Sequence, residues 1–444
     1  MTRVSEARYP LSAVLLGIVI SCAPAGTPPI PARTPLQALR YSIDSLVNDP
    51  MFANAQLGVL IVNPGTSDTL YSRNSGKLFM PASNQKVLTG AVALALLGPD
   101  YRYQTVIARR GEMKDSVLEG DLIVIGRGDP TISDRFHGNA LNAMAAIADS
   151  IGARGISRVT GALRQGGNAF PDSIYGYGWE WDDLSGSSGA PVDELLYNEG
   201  MVQRAARIDG RDTTVAIATR TPGYAYLSAL YLALSRRGIA VEGLVDLGVD
   251  SLVAPYDTLY AFQSPPMREI LKHFLKPSQN QIGEVLLKTL GLERAGVGVA
   301  DSGAAVVRRQ LTEWGVDSAG VVVYDGSGLS RHDLVSPETL VRTLVAMMRD
   351  STTFAVFHDA LPIAGVDGTI RTRMAGTAAA NNLRAKTGTI EFVRSLSGFV
   401  STADGELLVF SFLSNHFTVP VAQITRIQDA MGVLLANYRS APTQ

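Results

Sequence analysis

The sequence predicts an α+β protein in which both ends of the chain build one antiparallel sheet, with a β-rich insertion between them. Three observations carry that expectation. Near the N-terminus an amphipathic helical pattern is followed by a hairpin pattern and then by a helical run that is apolar almost all round. Near the C-terminus three strand patterns precede a second amphipathic helix. Between these ends, residues 101–261 alternate short strand patterns with Gly-rich turns. At 444 residues the chain is too long for one ordinary core, so the break in pattern is read as a boundary between domains.

The first 35 residues differ from the rest. Arg3 and Arg8 precede a mostly apolar run from Leu11 to Ile20, too short to span a bilayer stably, and then small residues around Cys22. This is signal-peptide anatomy, expected over residues 1–21. Val19-Ile20-Ser21-Cys22 resembles a bacterial lipobox, in which the cysteine is lipidated and becomes the mature N-terminus. Cys22 is the only cysteine, so no intramolecular disulfide exists, and lipidation explains an odd thiol in an exported chain; an incidental cysteine within a cleaved signal is the alternative. "APAGTPPIPARTP" follows, with five prolines and no apolar period, and reads as a tether over residues 22–35. The expected location is periplasmic or extracytoplasmic, lipid-anchored to a bacterial membrane; Ala23 after the cysteine is common in lipoproteins sent to the outer membrane of a Gram-negative cell.

Thr34-Pro35 supplies an N-cap and a first-turn proline, and Leu36, Leu39, Ile43 and Leu46 mark the first helix. "AQLGVLIV" and "DTLYSRN", separated by "NPGTS", form a hairpin pattern. The greasy helix comes next and stops at Gly98-Pro99. In the middle, "YQTVIARRG", "GDLIVIGRGDP", "GISRVTGALRQGG" and "TTVAIATRTP" read as strands of the insertion, with "ALNAMAAIADSIG" as a helix among them. At the far end "NLRAKTGTI", "SLSGFVST" and "LLVFSFLSN" read as strands, the last two joined by "ADGE". Val421, Ile424, Ile427, Met431, Leu434 and Tyr438 then mark a closing helix, expected on the same sheet face as the first.

Charge excludes one class of partner. The chain carries 39 basic and 41 acidic residues, net −2, without a dense Lys/Arg stripe, so nucleic acid is not expected. The chemistry lies in "FMPASNQKVLTGAVALALLG". Ser83 and Lys86 are three residues apart where the apolar helix begins, so both side chains share one face. A serine hydroxyl is a weak nucleophile until its proton is removed, and a lysine can remove it once burial lowers its pKa. The free N–H groups of a helix start favour the negative charge that develops. Ser-x-x-Lys alone is common, so context must carry it. "KPSQNQIGEVLLK" places Ser278 and Asn280 at the start of another apolar helix, and "AKTGT" places Lys386, Thr387, Gly388 and Thr389 on a strand.

Ser-x-x-Lys, Ser-x-Asn and Lys-Thr-Gly in this order are the set found in penicillin-binding proteins and class A β-lactamases. The chain resembles that superfamily, and more closely its low-molecular-mass class C penicillin-binding proteins, the D-alanyl-D-alanine carboxypeptidase/endopeptidases. "GDLIVIGRGDPTIS", "GWEWDDLS", "APVDELLYNE", "VVYDGSGLSRHDLVSP" and "LPIAGVDGTI" extend the resemblance over nearly all of the mature chain. The 195 positions between Ser83 and Ser278 suit that family's large insertion.

The resemblance implies a DD-peptidase/β-lactamase-like domain, a five-stranded antiparallel sheet flanked by helices, formed by residues 36–100 and 262–444. Residues 101–261 would be the inserted domain, with the family's further subdomain trimmed or absent near 200–213. It also implies roles: Ser83 attacks the D-alanyl carbonyl and Lys86 takes its proton; Ser278 relays a proton to the leaving amine; Asn280 orients Lys86 and the substrate amide. Lys386 faces the substrate carboxylate, which Thr387 and Thr389 also bind; Gly388 admits the substrate backbone; the N–H groups of Ser83 and Thr389 form the oxyanion hole. Expected partners are peptidoglycan stem peptides and β-lactam antibiotics, and no metal or organic cofactor is expected. A β-lactamase, and a wall-binding lipoprotein that has lost catalysis, are the alternatives.

Other candidates recede. His137, His273, His332, His358 and His416 lack metalloprotease spacing and read as structural or surface residues, with His332 set apart because it lies in a stretch matching the family. "GRGDP" reads as a turn rather than an adhesive loop. "GWEWDDLSGSSGAP" is either a substrate lip or an aromatic-anchored loop. Glu194 in "ELLYN" resembles the deacylating glutamate of class A β-lactamases, but it precedes Ser278 instead of following it, and that role is rejected.

Overall fold

The computed structural model describes residues 33–248 and 255–440. The lipobox and tether readings at residues 1–32 lie outside them.

Five strands form the central sheet, each antiparallel to its neighbours: Arg384–Ile390, Val393–Ser401, Leu407–Asn415, Gln56–Asn63 and Asp68–Arg73, in that spatial order. The hairpin from the start of the chain therefore joins the three strands from its end. This pairing requires one face of the sheet to be closed by helices from both ends. Pro35–Val47 starts on a reciprocal cap, Gln37 N donating to Thr34 Oγ1 and Thr34 N to Gln37 Oε1, and buries Leu39, Ile43 and Val47. Val421–Asn437 lies beside it, and both pack on Phe410 and Phe412 of the sheet.

The opposite face carries the larger core. Gln85–Leu97 is buried at every residue from Gln85 to Leu94, which is why its sequence is apolar all round. Met267–Leu275, Asn280–Ala295, Ala300–Glu313 and Pro337–Met347 pack around it and over Leu60, Val409 and Leu413.

The middle of the chain builds a second sheet. Its main path runs Val245–Asp246, Leu163–Gly166, Val117–Ile125, Gln104–Lys114 and Asp257–Gln263, with Arg158–Val159 and Ala240–Val241 attached. It is less purely β than its sequence suggests: pairs such as Leu122–Ile125 with Leu163–Gly166 are parallel, and two helices, Ala140–Gly152 and Pro222–Arg236, cover it. The second of these was not expected from the sequence. "TTVAIATRTP" does not join this sheet; it pairs within an outlying hairpin, Met201–Ile208 with Arg211–Ala218. "GRGDP" is a buried turn in which Thr131 N and Oγ1 both donate to Asp129 Oδ1.

Candidate active site

Ser83 sits in a tight turn, Ala82–Asn84, that runs directly into the buried helix. Ala82 before it has φ 46°, a left-handed conformation that a residue with a Cβ adopts only when its surroundings impose it. Those surroundings are visible. Asn84 Nδ2 donates to the Lys386 carbonyl at 3.0 Å and to Ser395 Oγ at 2.8 Å, and Ser395 Oγ donates to the Pro81 carbonyl at 2.7 Å. The serine turn is thereby stapled to the edge strand.

Lys86 is wholly buried, with Nζ 2.8 Å from Ser83 Oγ, 2.7 Å from Asn280 Oδ1 and 2.6 Å from the Ser327 carbonyl. The last two atoms can only accept, so they occupy two N–H bonds of the amine in either protonation state. The remaining position faces the serine. In the neutral amine that position is the lone pair, ready for the hydroxyl proton. Burial brings the Lys86 pKa down to about 7, against the opposing pull of Asp325, Glu284 and Asp333.

A second buried amine stands alongside. Lys386 Nζ donates to Ser278 Oγ at 2.8 Å and to the Thr387 carbonyl at 2.8 Å. Burial, followed by the positive charges of Lys86 and Arg394, holds its pKa well below the usual lysine value. Ser278 has φ 67°, another left-handed residue with a side chain, and Gln279 after it caps the helix Asn280–Ala295. Asn280 Nδ2 donates to the Ser188 carbonyl at 2.9 Å, which fixes the amide so that its oxygen faces Lys86. Thr387 Oγ1 lies 2.7 Å from Thr369 Oγ1, and Thr389 is exposed near the strand end, its hydroxyl accepting from Arg394.

Gly388 is small for a reason the sequence reading missed. A Cβ there would collide with Ser395 Oγ and stand 2.6 Å from the Pro81 carbonyl and 3.0 Å from Ser83 N. The crowding comes from Ser395 and from the turn that carries Ser83, so the glycine lets strand and turn close on each other.

All eight residues singled out from the sequence thus collect where the turn, the helix Asn280–Ala295 and the edge strand meet. A cleft of about 390 Å³ between Trp314 and Val341 lies at the other edge of the sheet, beside Thr69 and Ser72, and includes none of them.

Several neighbours were not anticipated. Asp325, Ser327, Glu284 and Asn84 carry no motif of their own. Asp325 opens "DGSGLS", a run of small residues able to fold its N–H groups back onto a carboxylate, and Glu284 is an acid one turn after Asn280 in a helix buried from Gln281 to Gly291; both signals were present. "GWEWDDLSGSSGAP" proves to be a wall of the site: Trp179 Nε1 donates to Asp325 Oδ2 at 2.8 Å, and Gln281 Nε2 holds the Ser187 and Ala190 carbonyls. His332 packs against the rings of Tyr177 and Tyr324. Glu194 is buried beside Gln165 and Asp193, away from this point. Among the described residues, one group of acids has metal-ligand spacing, Glu180, Asp182 and Asp183 on the same exposed wall.

An amine that can surrender its charge and a serine within reach of it are chemically suited to acyl transfer, and the sheet that carries them has a DD-peptidase/β-lactamase-like fold. The wider comparisons agree. The chain belongs to the D-Ala-D-Ala carboxypeptidase 3 (S13) family, whose model matches residues 39–211 and 205–438. It is 33% identical to a D-alanyl-D-alanine carboxypeptidase from an Actinomadura species over 91% of this chain and 85% of that one. It is 29% identical to the carboxypeptidase DacB of Mycolicibacterium smegmatis, over 89% and 84%. In three dimensions it is similar to penicillin binding protein 4 (dacB) of Haemophilus influenzae, with TM-score 0.79 at 22% identity over 89% of this chain and 99% of that one.

Proposed function

We propose that this chain cleaves D-alanyl-D-alanine peptide bonds of peptidoglycan through an acyl-enzyme on Ser83. Ser83 Oγ attacks the D-alanyl carbonyl carbon while its proton passes to Lys86 Nζ. The tetrahedral oxyanion is held by the N–H groups of Ser83 and Thr389, each such donor supplying about 2.7–4 kcal/mol. Collapse breaks the C–N bond, and the departing amine takes a proton relayed from Lys86 by way of Ser278. Water then attacks the ester, Lys86 accepts its proton, and Ser83 is restored. Lys386 with Thr387 and Thr389 receives the carboxylate of the terminal D-alanine, and a carboxylate arriving there favours the charged form of an amine whose pKa burial has lowered. The same acylation on a cross-link gives endopeptidase products.

The single observation that carries the reading is the wholly buried Lys86 Nζ at 2.8 Å from Ser83 Oγ. Residues 36–100 and 262–444 serve as the catalytic unit, with 101–261 inserted, and Cys22 tethers the enzyme by a lipid to a membrane facing the wall. A fluorescent penicillin will label the protein, and peptide mapping will place the adduct on Ser83; Ser83→Ala will stay dark. Defined monomeric and cross-linked muropeptides, weighed after incubation, will show loss of D-alanine or of the cross-link. A folded native protein that stays unlabelled and releases nothing would overturn the proposal. Metabolic labelling with an alkynyl fatty acid checks the anchor, which Cys22→Ala must abolish.

A further inference from the structure

Lys86 has two fixed acceptors, and both lead to one carboxylate. Asp325 is wholly buried and takes six hydrogen bonds. Oδ1 accepts from Ser327 N at 3.1 Å and Gly328 N at 2.6 Å. Oδ2 accepts from Ser327 Oγ at 2.9 Å, Leu329 N at 3.1 Å, Ser330 N at 3.0 Å and Trp179 Nε1 at 2.8 Å. Successive N–H groups wrapped on an anion leave the loop carbonyls facing outward, and the Ser327 carbonyl is the one that meets Lys86. The Trp179 bond reaches the second acceptor. It anchors the wall segment whose Ser188 carbonyl holds Asn280 Nδ2, so that Asn280 Oδ1 faces the amine.

We infer that Asp325 is a positioning residue for Lys86, holding both acceptors that orient the amine in one frame, the Ser327 carbonyl through its own loop and Asn280 through Trp179. The inference rests on the reading of Ser83 and Lys86 above and extends it to a residue outside the three motifs. Backbone packing makes the frame rigid: a Cβ at Gly283 would stand 2.8 Å from the Gly326 carbonyl, so the loop lies directly on the helix that carries Asn280.

Charge in the frame is simple. Lys86 faces Asp325, Glu284 from the helix Asn280–Ala295, Asp333 just beyond the loop, and Lys386 across the site. Burial and the charge of Asp325 push Glu284 and Asp333 well above the usual carboxyl range, which favours their protonated forms. Glu284 Oε1 accepts from Gly326 N at 2.7 Å. Burial alone would raise Asp325 too, but the neighbouring Asp333 carboxyl and the bonds from Trp179 and the backbone bring it below the ordinary value, which favours its charged form.

The test is acylation by a fluorescent penicillin, resolved into initial binding and the acylation step, from pH 5.5 to 9, with thermal unfolding of each variant alongside. Asp325→Asn is expected to lower the acylation plateau at least tenfold with initial binding unchanged. It also removes the charge that supports protonated Lys86, so the rising limb moves to lower pH. Trp179→Phe keeps the charge, so the limb stays in place while the plateau falls about three- to tenfold. Native plateaus in folded Asp325→Asn overturn the inference, and a native plateau in folded Trp179→Phe overturns the link to Asn280. If Asp325→Asn fails to fold, Ser327→Ala, which cuts two loop bonds and leaves the carbonyl, takes its place, and a native plateau and limb there overturn the loop half. Native protein that is never labelled would instead sink the reading of Ser83.

Discussion

The proposed mechanism requires Lys86 to be uncharged at the moment Ser83 attacks. Desolvation brings its pKa to about 7, so the neutral form is half populated near neutrality where a solvent-exposed lysine would have almost none. The sign follows directly. The rate constant for acylation by penicillin will rise with pH through about 7 and level off above it, because the active species is the deprotonated amine. Lys86→Ala will lower that plateau about 10²–10⁴-fold, the range expected for removal of a general base. A profile that is flat from pH 5.5 to 9, or that falls with pH in this range, would mean that another group takes the proton. The residues of this pair were legible because the motif itself places a hydroxyl and an amine one helical turn apart. Asp325 was not legible in the same way: Trp179, one of its donors, is 146 residues away, and the other five are backbone or serine groups whose arrangement appears only when the loop closes.

Elements were readable where burial is one-sided or complete. The helix Pro35–Val47 shows its stripe because only Leu39, Ile43 and Val47 go inside, and Gln85–Leu97 shows none because its first ten residues are all buried. Pro222–Arg236 fell between these cases. It leaves Tyr224, Tyr231 and Leu232 exposed while burying Tyr226, Leu227 and Leu230, so apolar residues occur on both sides and no period stands out. The contact between edge strand and serine turn belongs to this scale too, since strand, turn and the Ser395 hydroxyl that bridges them close on a residue without a side chain. Gly388→Ala inserts a carbon against Ser395 Oγ and 2.6 Å from the Pro81 carbonyl that this hydroxyl bonds, so relief displaces the staple that holds the Ser83 turn. The expected result is a stability loss of about 1–3 kcal/mol and a fall in acylation of about 100-fold, out of proportion to the stability loss, because a small displacement of the nucleophile is enough to spoil attack. Denaturant unfolding and penicillin acylation on the same preparation separate the two effects; an alanine variant with native acylation would show that strand and turn have room to spare.

At the scale of the whole molecule, the two sheets are joined by buried polar and apolar contacts that a hinge would not tolerate. Lys288, from the helix that starts at Asn280, meets Asp172 and donates to the Ser173 carbonyl at 2.7 Å; Tyr103 Oη lies 3.1 Å from Thr289 Oγ1. The segment 192–196 crosses the junction, with Val192 and Leu196 in the core around the helix Gln85–Leu97 and Leu195 in the core of the second sheet. Glu194 is carried between them. Burial, reinforced by neighbouring Asp193, raises its pKa to about 8, and its Gln165 contact does not offset that cost. A carboxyl with a folded pKa above its unfolded one makes the native state hold the extra proton, so stability is full below the unfolded pKa, near 4.5, and declines as pH rises toward 8. Glu194→Gln has no proton to lose. Its stability relative to the native protein will therefore grow from pH 5 to about 8 and stop growing above it, by on the order of 3 kcal/mol in total. Because the segment belongs to both cores, the gain should appear in one cooperative transition followed equally by probes of either lobe. Calorimetry at pH 5, 6.5, 8 and 9 measures it: a stability difference independent of pH would mean that Glu194 is ionised inside the folded junction, and a shift confined to one of two transitions would mean that the lobes unfold separately.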